Sequence, residues 1–128
     1  MTRVLNFFEL AASATPAVPD LLAASDTGTS STDNLTKLDN SAVGSKLQFT
    51  FPAGPAGATL RVYENTTLLG LAVADGVNPT VVTTNGTFDL VDGAHNITAT
   101  QQDADKAESL VSGALAITVD TIAPSSPP

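Results

Sequence analysis

The chain contains no cysteine and no tryptophan, and only one histidine and one tyrosine among 128 residues. Each shortage closes off chemistry. Without cysteine there is no disulfide framework, no thiolate zinc site and no thiol nucleophile; the compartment stays open. Five Lys and Arg face thirteen Asp and Glu, a net charge of −8. No basic surface is therefore available to neutralise phosphates, so nucleic acid is not expected as a partner. An anionic membrane surface is disfavoured for the same reason. No run approaches the roughly 20 apolar residues of a spanning helix, so no membrane insertion is expected. The opening MTRVLNFFELAAS carries one Arg and a short apolar patch, Val4 to Leu10, broken by Asn6 and Glu9. That makes a poor signal peptide, and an exported product would take its signal from outside this chain or use another type.

What the chain does have is frequent turn punctuation and short apolar runs. Pro16, Pro19, Gly28, the PAGPAG stretch at 52–57, Asp75-Gly76, Asn85-Gly86 and Asp92-Gly93 divide it. Between them apolar residues recur with a period of two, as half-buried strands require. Leu47, Phe49 and Phe51 share one face; Leu60 and Val62 share another, with Thr59, Arg61 and Tyr63 opposite. Leu69, Leu71 and Val73 repeat the pattern, followed by Phe88 and Leu90, by His95, Ile97 and Ala99, and by Leu115, Ile117 and Val119. The spacing predicts an all-β fold, an Ig-like antiparallel β-sandwich of about seven strands. Aromatics make up only 5%, so the core must be built from small aliphatic layers. A helical period is visible only as a weak option through Val4, Phe7, Phe8 and Ala11.

Catalytic constellations are missing from the pattern. No serine sits in a G-x-S-x-G elbow, and neither G-x-G-x-x-G nor G-x-x-x-x-G-K-[ST] occurs. An enzyme is not expected. His95 reads as a corner residue hydrogen-bonding backbone, standing where immunoglobulin domains place a Tyr, with Ile97 in the place of the second Cys. Tyr63 is the one outward aromatic of the strands. The N-x-T triplets at Asn34, Asn65, Asn85 and Asn96 arise easily by chance in a Thr-rich β-protein and are glycan acceptors only in a host that makes them.

The acidic groups remain. Asp26, Asp33 and Asn34 gather side-chain oxygens in SDTGTSSTDNLT, and Gly28 lets that stretch curl back. Ca²⁺ takes six to eight oxygens. The spacing is not that of an EF-hand. The same residues also suit an Asx-turn loop, satisfying local backbone donors; both readings stand.

PDLLAASDTGTSSTDNLT, GATLRVYENTTLLGLAVAD and LVDGAHNITATQQDADKAESLVSGALAITVDTIAP together resemble the bacterial Ig-like repeats of large secreted adhesins and RTX-type surface proteins. The resemblance runs over residues 17 to 124. It implies a non-catalytic spacer repeat, extracellular or on the bacterial cell surface, whose partners are neighbouring Ig-like repeats in the same chain. It divides the sequence into an N-terminal extension or linker (1–16), the Ig-like domain (17–122) and a Pro/Ser-rich linker to a next repeat (123–128). Some such arrays bind Ca²⁺ at repeat junctions. The resemblance thus brings Asp103 and Asp105, in the loop after the penultimate strand, into the candidate Ca²⁺ set with Asp26, Asp33 and Asn34. Asp20 and Asp120 fall at opposite junctions. The loop DADKAE at 103–108 departs from the family's usual DAAGN. The alternative function is an Ig-like binding module recognising a host glycan or protein through its loops, with Tyr63 or the Val4–Leu10 patch as its contact.

Overall fold

The computed structural model describes residues 11–27 and 34–121. Its strands are β1 (Asp20–Leu21), β2 (Leu35–Thr36), β3 (Gln48–Phe51), β4 (Thr59–Glu64), β5 (Thr67–Val73), β6 (Thr80–Thr83), β7 (Gly93–Gln102) and β8 (Leu115–Val119). They form two sheets, ordered β1-β3-β6 and β2-β8-β7-β4-β5. Every pair is antiparallel except β2 with β8, where Leu35 lies beside Thr118 in parallel register. The protein is an all-β sandwich with the strand order of an immunoglobulin-like domain, its first strand divided between the sheets.

Alternation builds the core. Phe49 and Phe51 from β3, Leu60 and Val62 from β4, Ile97 and Ala99 from β7, and Ile117 and Val119 from β8 are all buried. Burying one such large side chain contributes roughly 1.5–3 kcal/mol. These inward faces are those the period of two predicts, and the core they form is built without cysteine or tryptophan.

Two expectations fail locally. Leu69, Leu71 and Val73 do not share an inward face: Leu69 is fully buried, whereas Leu71 and Val73 are 50% and 62% exposed. Val62 pairs with Gly70 but Tyr63 pairs with Leu68, so Leu69 is an extra residue, a β-bulge, and the alternation flips there. Phe88 and Leu90 are not a strand. The strand at that point is β6, Thr80 to Thr83, pairing with β3. It turns a buried threonine and a buried valine inward, and so shows no apolar alternation. Leu90 instead plugs the core from a loop, its amide donating to the Asp39 carbonyl at 2.8 Å.

The sheets close at the β5–β6 corner. A side chain on Gly70 would collide with the Thr83 carbonyl, so only glycine permits this approach. Residues 11–13, assigned to the extension by sequence, are joined to the sandwich. Ala12 bridges Ala107 in parallel, and the buried Ser13 hydroxyl donates to the Ala107 carbonyl at 2.8 Å. The helix option through Val4, Phe7 and Phe8, and the linker at 123–128, lie outside the described residues.

The sandwich has two ends. At the leading end, residues 11–13 join it beside the β3–β4, β5–β6 and β7–β8 loops. At the trailing end, β8 leaves beside the β1–β2, β2–β3, β4–β5 and β6–β7 connections. The ten residues of β7 set these ends roughly 30 Å apart.

Candidate functional site

Leaving β1, the chain makes a 3₁₀ turn at Ala23–Ser25 and delivers Asp26 into the trailing end. Asp26 is 3% exposed. Its Oδ2 accepts the Asn34 amide at 2.9 Å, while its Oδ1 is buried without a hydrogen-bond partner among the described residues. Asn34 stands in the left-handed region at φ 61°, which asparagine tolerates better than most residues. Its carbonyl accepts the Thr118 amide at 2.9 Å, tying the crossover to β8. Around it, the Ser25 hydroxyl accepts the Gln48 amide at 2.9 Å and the Thr36 hydroxyl donates to the Ser25 carbonyl at 2.6 Å. Side-chain oxygens replace the ladder where the first strand changes sheets.

Asp33 lies outside the described residues. Asp103 and Asp105 lie at the opposite end. β1 is antiparallel to β3, so it exits where β3 begins, whereas Gln102 pairs with Thr59 at the start of β4. Asp26 and Asn34 therefore do not meet Asp103 and Asp105 within one chain. Asp103 has local partners: its Oδ1 accepts Gln101 Nε2 at 2.7 Å and its Oδ2 lies 3.9 Å from Lys106 Nζ. Its amide donates to the Ser13 hydroxyl at 2.7 Å. Asp105 is exposed, in the left-handed region at φ 63°. Among the described residues no cluster of three or more His, Cys, Asp or Glu is spaced to hold a metal ion.

A residue that sequence reasoning missed organises the trailing end. Asn40 is fully buried at φ 59°. Its Nδ2 donates to Asn85 Oδ1 at 3.2 Å and to the Phe88 carbonyl at 3.1 Å. Its Oδ1 accepts the Gly86 amide at 2.6 Å. One amide thus locks the β2–β3 connection to the β6–β7 connection. Nothing in LDNS distinguishes it from an exposed turn asparagine.

His95 on β7 is a corner residue. Its Nε2 donates to the Val91 carbonyl at 2.6 Å, and its Nδ1 bonds the Glu64 carboxylate. Both ring nitrogens face acceptors, an arrangement the imidazolium satisfies with two donors. Burial pulls its pKa down, but the Val91 carbonyl and the Glu64 carboxylate outweigh that and raise it above 6.5. With both nitrogens engaged, the ring is not placed as a general base for a hydroxyl.

No family model matches the chain, and no curated protein matches it. A solved structure described as "Biofilm associated protein - BSP domain" is similar at 17% identity and a TM-score of 0.46. The match covers 85% of this chain and 15% of that one, so this chain spans a small fraction of that protein's length. No residue role passes across such a likeness.

The outer face of the five-stranded sheet carries a polar network around Glu108. The Tyr63 hydroxyl donates to it at 3.0 Å, the Thr100 hydroxyl donates to it, and Arg61 Nη1 stands 3.9 Å away. The Thr100 bond leads in lowering the Glu108 pKa, helped by Tyr63 and Arg61 against a smaller burial effect. Burial, then the bond to Glu108, raises that of Tyr63. Tyr63 is half-buried with its hydroxyl held by Glu108, unlike the freely presented ring a stacking platform needs. At the leading end a shallow cleft of about 340 Å³ is lined by Val18, Asp20, Thr50, Phe51 and Pro79. It gathers a single carboxylate and no convergent polar set, which a specific ligand site would need.

Proposed function

We propose that the domain is a non-catalytic structural spacer repeat of an extracellular bacterial adhesin or surface protein, linked to neighbouring Ig-like repeats. The observation that carries this reading is the path of the chain. It joins the sandwich at the leading end, through Ala12 and Ser13 on the β7–β8 loop, and leaves β8 at the trailing end. A unit of this kind passes the backbone straight through and adds its full length to a string. Its terminal strands also suit tension. Pulling outward from both ends slides β2 against its parallel neighbour β8 and β1 against β3, which loads their hydrogen bonds together rather than one by one. The engagement of both His95 ring nitrogens by Glu64 and Val91 supports the non-catalytic reading.

The test is small-angle X-ray scattering of two copies fused through the native linker. The expected result is a maximum dimension close to double that of one copy. A compact particle, with the copies side by side, contradicts the spacer reading.

The proposal includes a Ca²⁺ at the junction, and the orphaned Asp26 Oδ1 is what favours it. A buried carboxylate oxygen without a partner is costly, and a hard cation would repay that cost. Asp26 and Asn34 offer oxygens at the trailing end. Stacked end to end, the next repeat would bring Asp103 and Asp105 to the same junction, with Asp33 on the intervening loop. Ca²⁺ should raise the melting temperature of the fused pair over that in chelator, because a ligand of the native state stabilises it. Asp26→Asn should abolish the rise. No rise at millimolar Ca²⁺ in the unaltered pair removes the cation from the account and leaves the spacer standing.

A further inference from the structure

We propose that Asn85 is a site of spontaneous covalent modification: it deamidates to aspartate or isoaspartate, Asn40 guards it in the intact fold, and its conversion releases the lock at the trailing end. Asn85-Gly86 is the one Asn-Gly pair in the chain. The reaction needs only water. The Gly86 amide nitrogen gives up its proton and attacks Asn85 Cγ. An N–Cγ bond forms, the Cγ–Nδ2 bond breaks, and ammonia leaves carrying the proton. Water then opens the resulting succinimide at either carbonyl. Glycine favours the attack because no Cβ crowds the nitrogen or restricts its backbone. Asn34, Asn40, Asn65 and Asn96 each precede a bulkier residue, and Asn78 precedes Pro79, which has no amide proton to lose.

The structure prepares one half of this reaction and holds back the other. Asn85 is exposed, open to water and hydroxide. Its Oδ1 accepts Asn40 Nδ2 at 3.2 Å and the Thr87 amide at 3.0 Å. Two donors on that oxygen draw electrons from Cγ and stabilise the charge that attack would place there. The Gly86 amide, in contrast, donates to Asn40 Oδ1 at 2.6 Å. An N–H engaged in this way meets hydroxide only when the bond opens, the same requirement that governs amide exchange. Asn40 thus primes the carbon with one end of its amide and restrains the nitrogen with the other. Its grip is firm, because it is fully buried and also donates to the Phe88 carbonyl.

Conversion undoes what Asn40 ties. Asn85 Nδ2 leans on the Leu68 carbonyl at 3.4 Å; a carboxylate in its place has no proton to donate and sets oxygen against oxygen. Isoaspartate also routes the main chain through the former side chain, adding a backbone atom before Gly86. The Gly86 amide then leaves Asn40 Oδ1, and a buried acceptor is stranded.

Incubation at mildly alkaline pH, with peptide mass mapping and isoaspartate detection at position 85, tests the proposal. Asn40→Gly removes the guard and suits the left-handed backbone there. Leu60→Ala weakens the core at the leading end and keeps every Asn40 bond. The two variants are compared in enough urea to give them equal stability. Asn40→Gly should convert about tenfold faster, the factor that one hydrogen bond sets, and its Gly86 amide should exchange faster too. The unaltered domain should convert far more slowly than the unfolded chain. Its converted fraction, separated by the added negative charge, should melt below the unconverted one. These last two measurements need no variant. Equal rates in the two variants would mean that conversion runs through global unfolding, and would overturn the guard. An unaltered domain that converts as fast as the unfolded chain, an Asn85 that stays intact even there, or equal melting of the two fractions overturns the proposal as well.

Discussion

The two ends of the sandwich are held by different means. At the trailing end, buried polar side chains do the tying. Asn40 joins two connections with its amide, Asp26 fixes the crossover, and His95 pins the β6–β7 connection to β4 through Glu64. At the leading end one buried side chain reaches far along the chain, the Ser13 hydroxyl between the Ala107 carbonyl and the Asp103 amide, and the other ties are local or exposed. Asp75 accepts the Val77 and Asn78 amides within its own turn, and Asp103 bonds near neighbours. Four connections converge at the trailing end with few ladder bonds between them, so side chains must satisfy the buried backbone groups. Perturbations of one size should therefore cost far more at the trailing end.

Asn40→Ala is the strongest probe of that contrast. It orphans the Gly86 amide and the Phe88 carbonyl and puts a poorly suited residue at positive φ. The expected loss is about 3 kcal/mol by denaturant unfolding. Asn40→Gly should recover about 1 kcal/mol of this, the part due to backbone conformation. A loss from Asn40→Ala as small as that of an exposed turn would break the comparison.

Next is the corner where the trailing-end loops meet β5. Gly70→Ala drives a methyl into the Thr83 carbonyl, and an overpacked site of this kind costs about 2 kcal/mol. The melting temperature should fall accordingly, without loss of strand signal in the far ultraviolet.

Smaller, and dependent on pH, is the His95–Glu64 pair. The folded pKa of His95 is raised above 6.5. Its contribution is thus complete below the unfolded value of about 6.5 and is lost as pH climbs through the raised folded value. Glu64→Gln should cost about 1 kcal/mol at mildly acidic pH, with a difference that shrinks at alkaline pH. A cost from Glu64→Gln that does not change with pH would show that the pair's charge is not what matters.

The smallest effect is expected at the leading end. Asp75 is fully exposed, and its carboxyl is lowered from 3.8 to about 2, first by the Asn78 amide and then by the Val77 amide. Its contribution is present above 3.8 and lost as pH falls through about 2. Asp75→Ala should leave melting at neutral pH almost unchanged and remove only a slight acid dependence in that window. A large loss would mean that the leading end is as interlocked as the trailing one.

The sequence announces the strands whose inward residues are aliphatic and evenly spaced. Leu47, Phe49 and Phe51, Leu60 and Val62, Ile97 and Ala99, and Ile117 and Val119 are buried as the alternation requires. It hides the places where an inserted residue or a polar side chain decides the outcome. LLGLAV reads as one alternating strand, and only the pairing with β4 reveals that Leu69 is extra and that Leu71 and Val73 turn outward. FDL mimics a strand because Leu90 is buried, although its ladder partner is a loop carbonyl. Asn40 is ordinary in sequence because its importance comes from residues 45 positions away. Of the candidate cation ligands, Asp26 and Asn34 are joined by a bond from the Asn34 backbone amide to the Asp26 carboxylate, the contact an Asx-turn loop also makes. Their separation from Asp103 and Asp105 follows from strand direction, which composition does not carry.

The claim most exposed to refutation is that tension passes from the leading end to the trailing end through strands loaded in shear. The chain has no cysteine, so paired cysteine handles can be introduced for single-molecule pulling without competing thiols. Handles at positions 14 and 121 pull end to end; handles at 65 and 121 pull from the trailing end alone and peel the sheet. The domain should resist clearly higher force in the first geometry than in the second. Equal or lower resistance end to end would contradict the account.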